Sequence, residues 1–270
     1  MRNESNAEGA AVKLSRRLSA LADWVPQGAR FADIGTDHAL LPVYLAGDGR
    51  IAFAVAGDVN PGPVQAAKRQ VGEAGLSGLV SVRQGNGLAV LSPGEVDTVC
   101  IAGMGGSLIA RLLDEAGDRL EGVQTLVLSP HVAEDAVRKW LRRHGFVLDR
   151  ELLLEEDGVI YTLMRAVRAK SPAEAEERNA ELYEERLLAP CKAHVPADLL
   201  YEMGPLLLRS AGEAFRRKWE QEIAKREQII RQMKQSSAAE AAQKAAEWEN
   251  SAEEIREVLA CLRGEKPLSN

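Results

Sequence analysis

Apolar residues near the start of the chain, Leu14, Leu18, Leu21 and Val25, recur at helical spacing, with Lys13, Arg16 and Arg17 on or near the opposite side. This predicts an amphipathic helix with a basic edge, ended by Pro26, Gln27 and Gly28. The pattern then changes to short apolar runs that each stop at a glycine or an acidic residue. The first runs from Arg30 through Ile34 and breaks at Gly35 into a turn holding Thr36, Asp37 and His38, with a helix expected from about Pro42. The second, Ile51 to Gly57, ends at Asp58 and leads to a helix from Pro61 to Ala74. The third, Leu79 to Gln84, is closed by Gly85, Asn86 and Gly87. The fourth, Val96 to Ala102, ends in Gly103, Met104, Gly105 and Gly106 before a helix from Ser107 to Ala116. A fifth, Gln124 to Ser129, precedes Pro130, His131 and an amphipathic helix through Ala136, Val137, Trp140 and Leu141. Strands alternating with helices in this way predict a mostly parallel sheet covered on both faces, an α/β domain.

Two extended runs follow, Phe146 to Leu154 and Val159 to Val167, joined by Glu155, Glu156, Asp157 and Gly158. An Asp-Gly turn between such runs is a hairpin signal, so the sheet should finish with antiparallel strands. The expected boundaries are a globular domain over 1–168, a linker with short helical pieces over 169–204, broken by Pro190, Pro196 and Gly204, and a helical hairpin over 205–264. In that last part Leu208, Ala211, Phe215, Trp219, Ile223, Ile230 and Met233 mark one stripe. Ala241, Ala245, Trp248, Ala252, Ile255, Leu259 and Leu262 keep alternating four-and-three spacing on a second, with Gln235, Ser236 and Ser237 between them. Two antiparallel helices paired as a short coiled coil are expected. The first carries a basic set that includes Arg216 and Arg217, and the second is rich in glutamate, so the charges either pair across the hairpin or track an RNA backbone.

Composition narrows the functions. At 270 residues with 46% hydrophobic and 27% charged, the chain supports one sizeable core and an appendage. A formal charge of -6 argues against indiscriminate polyanion binding but leaves room for a local basic face, and 4% aromatics argue against a wide stacking platform. Cys100, Cys191 and Cys261 are odd in number, far apart and never in a Cys-x-x-Cys pair, so neither a metal site nor a disulfide is expected. The polar start and the lack of a long apolar run predict a cytoplasmic protein without a membrane segment.

The strand ends suggest the ligand. A dinucleotide site calls for Gly-x-Gly-x-x-Gly after the first strand, whereas this turn has one glycine and two carboxylates, Asp33 and Asp37, which repel a pyrophosphate. S-adenosylmethionine brings an ammonium and a sulfonium instead, and suits them. Asp58 can bind ribose hydroxyls and Asn86 can accept from an adenine amino group. In a doubly wound sheet the ligand lies where the chain direction reverses, usually between the first and fourth strands, and the glycines after the fourth make room there for a flat base. A methyltransferase acting on a protein or small molecule, and a non-catalytic scaffold, remain open from these residues alone.

Taken together, the motifs resemble the bacterial tRNA (adenine-N1)-methyltransferases of the TrmK type, which modify adenosine at position 22 of the tRNA D-arm. The resemblance rests on Lys13 through Leu18, Ala32 through Ala39 with Leu41 and Pro42, Ala67 through Val71, Val82 through Leu88, Ile101 through Gly106, and Leu154 through Gly158. It implies a class I SAM-dependent methyltransferase (Rossmann-like) domain with a C-terminal antiparallel coiled coil that helps grip tRNA. It implies Asp33 and Gly35 in the cofactor loop, Asp58 at the ribose, Asn86 at the adenine and Gly103 beside the transferred methyl, with Thr36, Val59, Gly87, Ala102 and Met104 completing the cofactor set. Asp37 is the expected catalytic carboxylate nearest the target base. His38, Gly105, Gly106 and His131 are expected around that base, and Lys13, Arg16, Arg17, Arg216 and Arg217 along the tRNA backbone. Two positions depart from the family: Asn86 stands where Asp is common, and Ser129-Pro130-His131 replaces a Gln-Pro-Asn-like turn.

Overall fold

A computed structural model of the chain describes residues 12–189, 191–235 and 239–262, in two compact units, Met1–Glu176 and Glu177–Asn270. The first unit opens with α1 (Arg16–Ala22), shorter than the sequence pattern predicts and capped by the Ser15 side chain, which accepts from the Leu18 N–H at 3.3 Å. Its strands are β1 (Ala29–Ile34), β2 (Ile51–Asp58), β3 (Val80–Gln84), β4 (Thr98–Met104), β5 (Thr125–Pro130), β6 (Phe146–Glu156) and β7 (Val159–Arg168). Between them lie α2 (Leu40–Gly47), α3 (Pro61–Glu73), α4 (Gly106–Glu115) and α5 (Glu134–Arg143).

The seven strands pair in the order β3-β2-β1-β4-β5-β7-β6, parallel through β5 and antiparallel for β7 and β6. The inner parallel strands β2, β4 and β5 are short, mainly apolar runs, as burial on both faces requires, whereas the edge strand β3 carries Ser81, Arg83 and Gln84. One core gathers Phe31, Ala54, Ala56, Cys100, Val127 and Leu163 with residues of α1, α2 and α3. The alternate strand residues Ala32, Ile34, Val99, Ile101, Leu126 and Leu128 are buried too, so both faces are covered. The chain runs outward from β1 in one direction through β2 and β3 and in the other through β4 and β5, which puts the reversal point between β1 and β4.

The predicted hairpin is present. Asp157 and Gly158 both take left-handed backbone angles, φ +51° and +76°, as a two-residue turn matched to strand twist requires. Beneath β6 the Arg138 guanidinium of α5 meets Glu151 at 2.7 Å with both side chains out of water. Helix α2 begins at Leu40, two residues before Pro42, which falls within the first turn, where its missing N–H leaves no bond unmade.

The second unit holds most of α6 (Pro172–Leu182), then β8 (Arg186–Leu188), β9 (Ala193–Val195), α7 (Ala197–Met203), α8 (Pro205–Arg209), α9 (Glu213–Met233) and α10 (Ala239–Leu262). The β8–β9 hairpin is not predicted by the sequence pattern, because strands of three residues are too short to show alternation. Pro190, Ser236 and Ser237 lie outside the described residues. Helices α9 and α10 run antiparallel, with Lys234 meeting Glu249 at 2.5 Å and Arg256 meeting Glu227 at 2.6 Å, so part of the opposed charge pairs across the hairpin. Phe215, Trp219, Ile223, Ile230, Ala245, Ala252, Ile255 and Leu259 are buried as their spacing predicts. Leu208 belongs to α8 instead, and Trp248 is partly exposed, its ring 5.9 Å from the Arg226 guanidinium. No described helix is long and apolar enough to cross a membrane.

The cysteine expectation needs correction. Cys191, just before β9, and Cys261, at the end of α10, form a disulfide with their Cα atoms 5.5 Å apart, although 70 residues separate them in sequence. The packing of α10 on β9 brings them together, a long-range contact that sequence spacing does not encode. Cys191→Ser is expected to lower the stability of the oxidised protein by about 2 kcal/mol, because the cross-link restricts the unfolded chain. Thermal melts with and without reductant test this. The wild type should fall to the variant's midpoint when reduced, and equal midpoints under oxidising conditions would count against the bond.

Candidate active site

The end of β1 carries a strongly perturbed carboxyl. Asp33 is buried, and its carboxyl is raised from 3.8 to about 6, chiefly by burial and further by Asp58. Thr36 opposes this by donating its hydroxyl to Asp33 Oδ2 at 2.6 Å, and the Cys100 thiol, across the register on β4, acts in the same direction. None of these neighbours is a cation. A buried carboxylate with no cation among these neighbours is short of a counter-charge.

After Asp33 the backbone turns sharply. Gly35 has φ +76°, and the Gly35 and Thr36 amides both donate to the Gly57 carbonyl, at 2.8 and 3.1 Å. Asp37 and Ala39 also take left-handed angles, φ +52° and +54°, which is costly for alanine. The turn pushes the Asp37 carboxylate into solvent, 71% exposed, where it pairs with the His38 ring at 3.0 Å.

The next strand ends line up beside it. One Asp58 oxygen accepts from the Asn60 N–H at 2.8 Å, ahead of α3, and Val59 is exposed. Asn86 is exposed, and Gly87 takes φ +52° under the Leu112 side chain. On β4, Ala102 is half-buried, and open space lies where a Cβ would stand on Gly103, at φ +79°. The Met104 side chain folds over Gly35, whose missing Cβ leaves room for it.

Of the next two glycines, Gly106 has a packing reason of its own to lack a Cβ. Gly105 lies against Val132, and a Cβ on Gly106 would collide with the Ala133 carbonyl. The Gly106 N–H donates to Val132 O at 2.7 Å and the His131 N–H to Met104 O at 2.9 Å, so the β4–α4 and β5–α5 turns are laced together. This lacing brings His131 beside Met104. The imidazole is held below its usual pKa by partial burial and then by the Arg17 charge, so it is neutral at pH 7.

The basic residues divide. Lys13 is exposed, and Arg16 is tied to the hairpin through its N–H to Glu156 at 2.6 Å and its guanidinium to Glu155 O at 3.2 Å. Arg17 instead turns inward and stacks on Tyr161 of β7, 4.7 Å from the ring centroid. Tyr161 is missing from the sequence prediction, which offers no motif for it. Its ring also lies 5.6 Å from that of His131. Arg216 and Arg217 are half-buried on α9 in the other unit.

The sequence profile of the tRNA (adenine(22)-N(1))-methyltransferase (TrmK) family matches residues 31–258. The chain belongs to this family. The tRNA (adenine(22)-N(1))-methyltransferase of Bacillus subtilis (strain 168) is 39% identical over 249 residues, which cover 92% of this chain and 98% of that protein. The crystal structure of the B. subtilis M1A22 tRNA methyltransferase TrmK superposes with a TM-score of 0.79 at 35% identity, over 92% of this chain and 99% of that one. A Streptococcus pneumoniae protein described as a putative tRNA (m1A22) methyltransferase, solved in complex with S-adenosyl-L-methionine, superposes with a TM-score of 0.73 at 33% identity, over 92% of this chain and all of that one.

Proposed function

We infer that this chain is a tRNA methyltransferase that transfers a methyl group from S-adenosylmethionine to N1 of adenosine 22, acting in the cytoplasm where tRNA is found. The observation that carries this reading is the juxtaposition at the β1/β4 reversal of a buried carboxylate without a cationic neighbour, Asp33, and the open space at Gly103. Asp33 and the Gly35–Thr36 backbone would hold the donor's amino acid end, Asp58 its ribose and Asn86 its adenine. When bound, S-adenosylmethionine supplies an electrophilic methyl on a positive sulfur.

Neutral adenine offers at N1 an in-plane lone pair with no proton on it, so the chain needs no general base. Its task is alignment. In folded RNA the N1 edge is engaged, so the nucleotide must be drawn out of its stack. Gly103 leaves space for the ring, and the neutral His131 is placed beside Met104 to contact it. Methylation makes the base cationic, and the Asp37 carboxylate stabilises that charge or accepts from the exocyclic amino group. Asp37→Ala should therefore lower kcat about tenfold, less than for a fully desolvated group, while leaving donor affinity intact. An equal loss of donor binding in calorimetry would assign Asp37 to the cofactor instead.

The decisive experiment is incubation of the protein with methyl-labelled donor and unmodified tRNA transcript, followed by digestion to nucleosides. Label is expected in 1-methyladenosine and lost when adenosine 22 is replaced by guanosine. Donor binding without label in any adenosine would overturn the reading.

A further inference from the structure

Among the described residues the Arg17 guanidinium has no anionic partner. Its Nε and Nη1 are shut off from solvent without a hydrogen-bond partner, and its plane is held over Tyr161. Buried guanidinium N–H groups left unpaired are costly, and a stacked arginine is preorganised to receive a planar or tetrahedral anion through its fork. Arg17 and Tyr161 lie on the sheet face that α1 covers, where Leu14, Leu18, Ala102 and Tyr161 pack on a common core. Across the sheet, β4 and β5 separate the strand of Tyr161 from that of Asp33, about 14 Å at ordinary strand spacing. Strand β5 leads directly into His131, and the Arg17 charge reaches both that imidazole and the Cys100 thiol on β4.

A bare cation there opposes the reaction, because N1 methylation places positive charge on the base. An anion must neutralise Arg17 when the base is in place, and every nucleotide carries one. We propose that Arg17, braced on Tyr161, binds a backbone phosphate of the target nucleotide and so fixes the extruded adenosine while its base enters beside His131. This rests on the methyltransferase reading above. It gives Arg17 a role inside the site, distinct from Lys13 and Arg16 on the surface.

The test uses the full chain and unmodified tRNA transcript, with wild-type formation of 1-methyladenosine as the reference. If the wild type forms none, the functional reading fails and not this assignment. Arg17→Gln should raise the tRNA KM about tenfold or more with kcat and donor affinity unchanged, as loss of a charged hydrogen bond used equally in ground and transition states requires. The slope of log binding constant against log salt should become shallower by about 0.7 to 0.9, one phosphate contact. Arg17→Lys should keep the slope and recover part of the affinity. Tyr161→Leu should raise KM with the slope intact, and these two carry the test should Arg17→Gln not fold. An unchanged slope in Arg17→Gln overturns the proposal. So does weakened donor binding with an unchanged tRNA KM, which would place the donor's carboxylate on Arg17 instead.

Discussion

Gly106→Ala is expected to lower kcat/KM at least about 100-fold and to destabilise the protein by about 3 kcal/mol, from one added methyl group. The methyl has nowhere to go. Its carbon would stand against the Ala133 carbonyl, 2.9 Å from Val132 O, and both obstacles are backbone, which cannot swing aside as a flexible side chain can. Relief requires the β4–α4 and β5–α5 turns to part. That breaks the bond from the Gly106 N–H to Val132 O and loosens the one from the His131 N–H to Met104 O, the two links that hold His131 against the reversal point. Ala133 is already in a left-handed conformation, φ +54°, so the turn has little freedom to relax. Gly103→Ala is the contrasting control for stability alone. Its Cβ meets no protein atom, and only the cost of φ +79°, about 1 to 2 kcal/mol, should reduce stability. Melting curves on the two variants distinguish them, and wild-type turnover in Gly106→Ala would show that the turns are not coupled.

The legible parts of the molecule are those whose signals are local. Apolar runs stopped by Gly35, Asp58 and Asn86 mark the parallel strands, and Asp157-Gly158 marks the hairpin, because each depends on the backbone needs of two or three residues. The carboxylates Asp33 and Asp58 at those strand ends follow for the same reason. What escapes is whatever the strand order creates. Tyr161 reaches His131 because β7 inserts beside β5, ahead of β6, and nothing in the spacing of ten β7 residues says so. Gly106 looks like its neighbours in a glycine run, yet the Ala133 and Val132 carbonyls leave no room for a side chain there. The Cys191–Cys261 bond likewise follows from packing across 70 residues.

Asp33→Asn is expected to make the ligand-free protein more stable at neutral pH and the enzyme worse. Burial raises the Asp33 carboxyl to about 6 from 3.8, so the fold favours the neutral acid. The stability this group contributes is therefore fully present below pH 4 and is lost as pH rises through 6. At pH 7 the ionised carboxylate costs the ligand-free protein about 3 kcal/mol, an upper estimate that relaxation around the site reduces. Asparagine removes the charge and keeps an acceptor for the Thr36 hydroxyl. The variant's advantage should be absent near pH 4, grow between pH 4 and 6 and level off above. The same change takes away the counter-charge for the donor's ammonium, and affinity should fall about tenfold to hundredfold above pH 6. The wild type should itself lose donor affinity as pH drops through 6, whereas the variant's weaker binding should be flat there. Melts of the ligand-free proteins against pH and calorimetric donor titrations at pH 5 and 8 measure both effects. A stability gain without loss of affinity would mean that Asp33 is buried for some purpose other than the donor. Loss of affinity without the gain would mean that the carboxylate is already satisfied before the donor arrives.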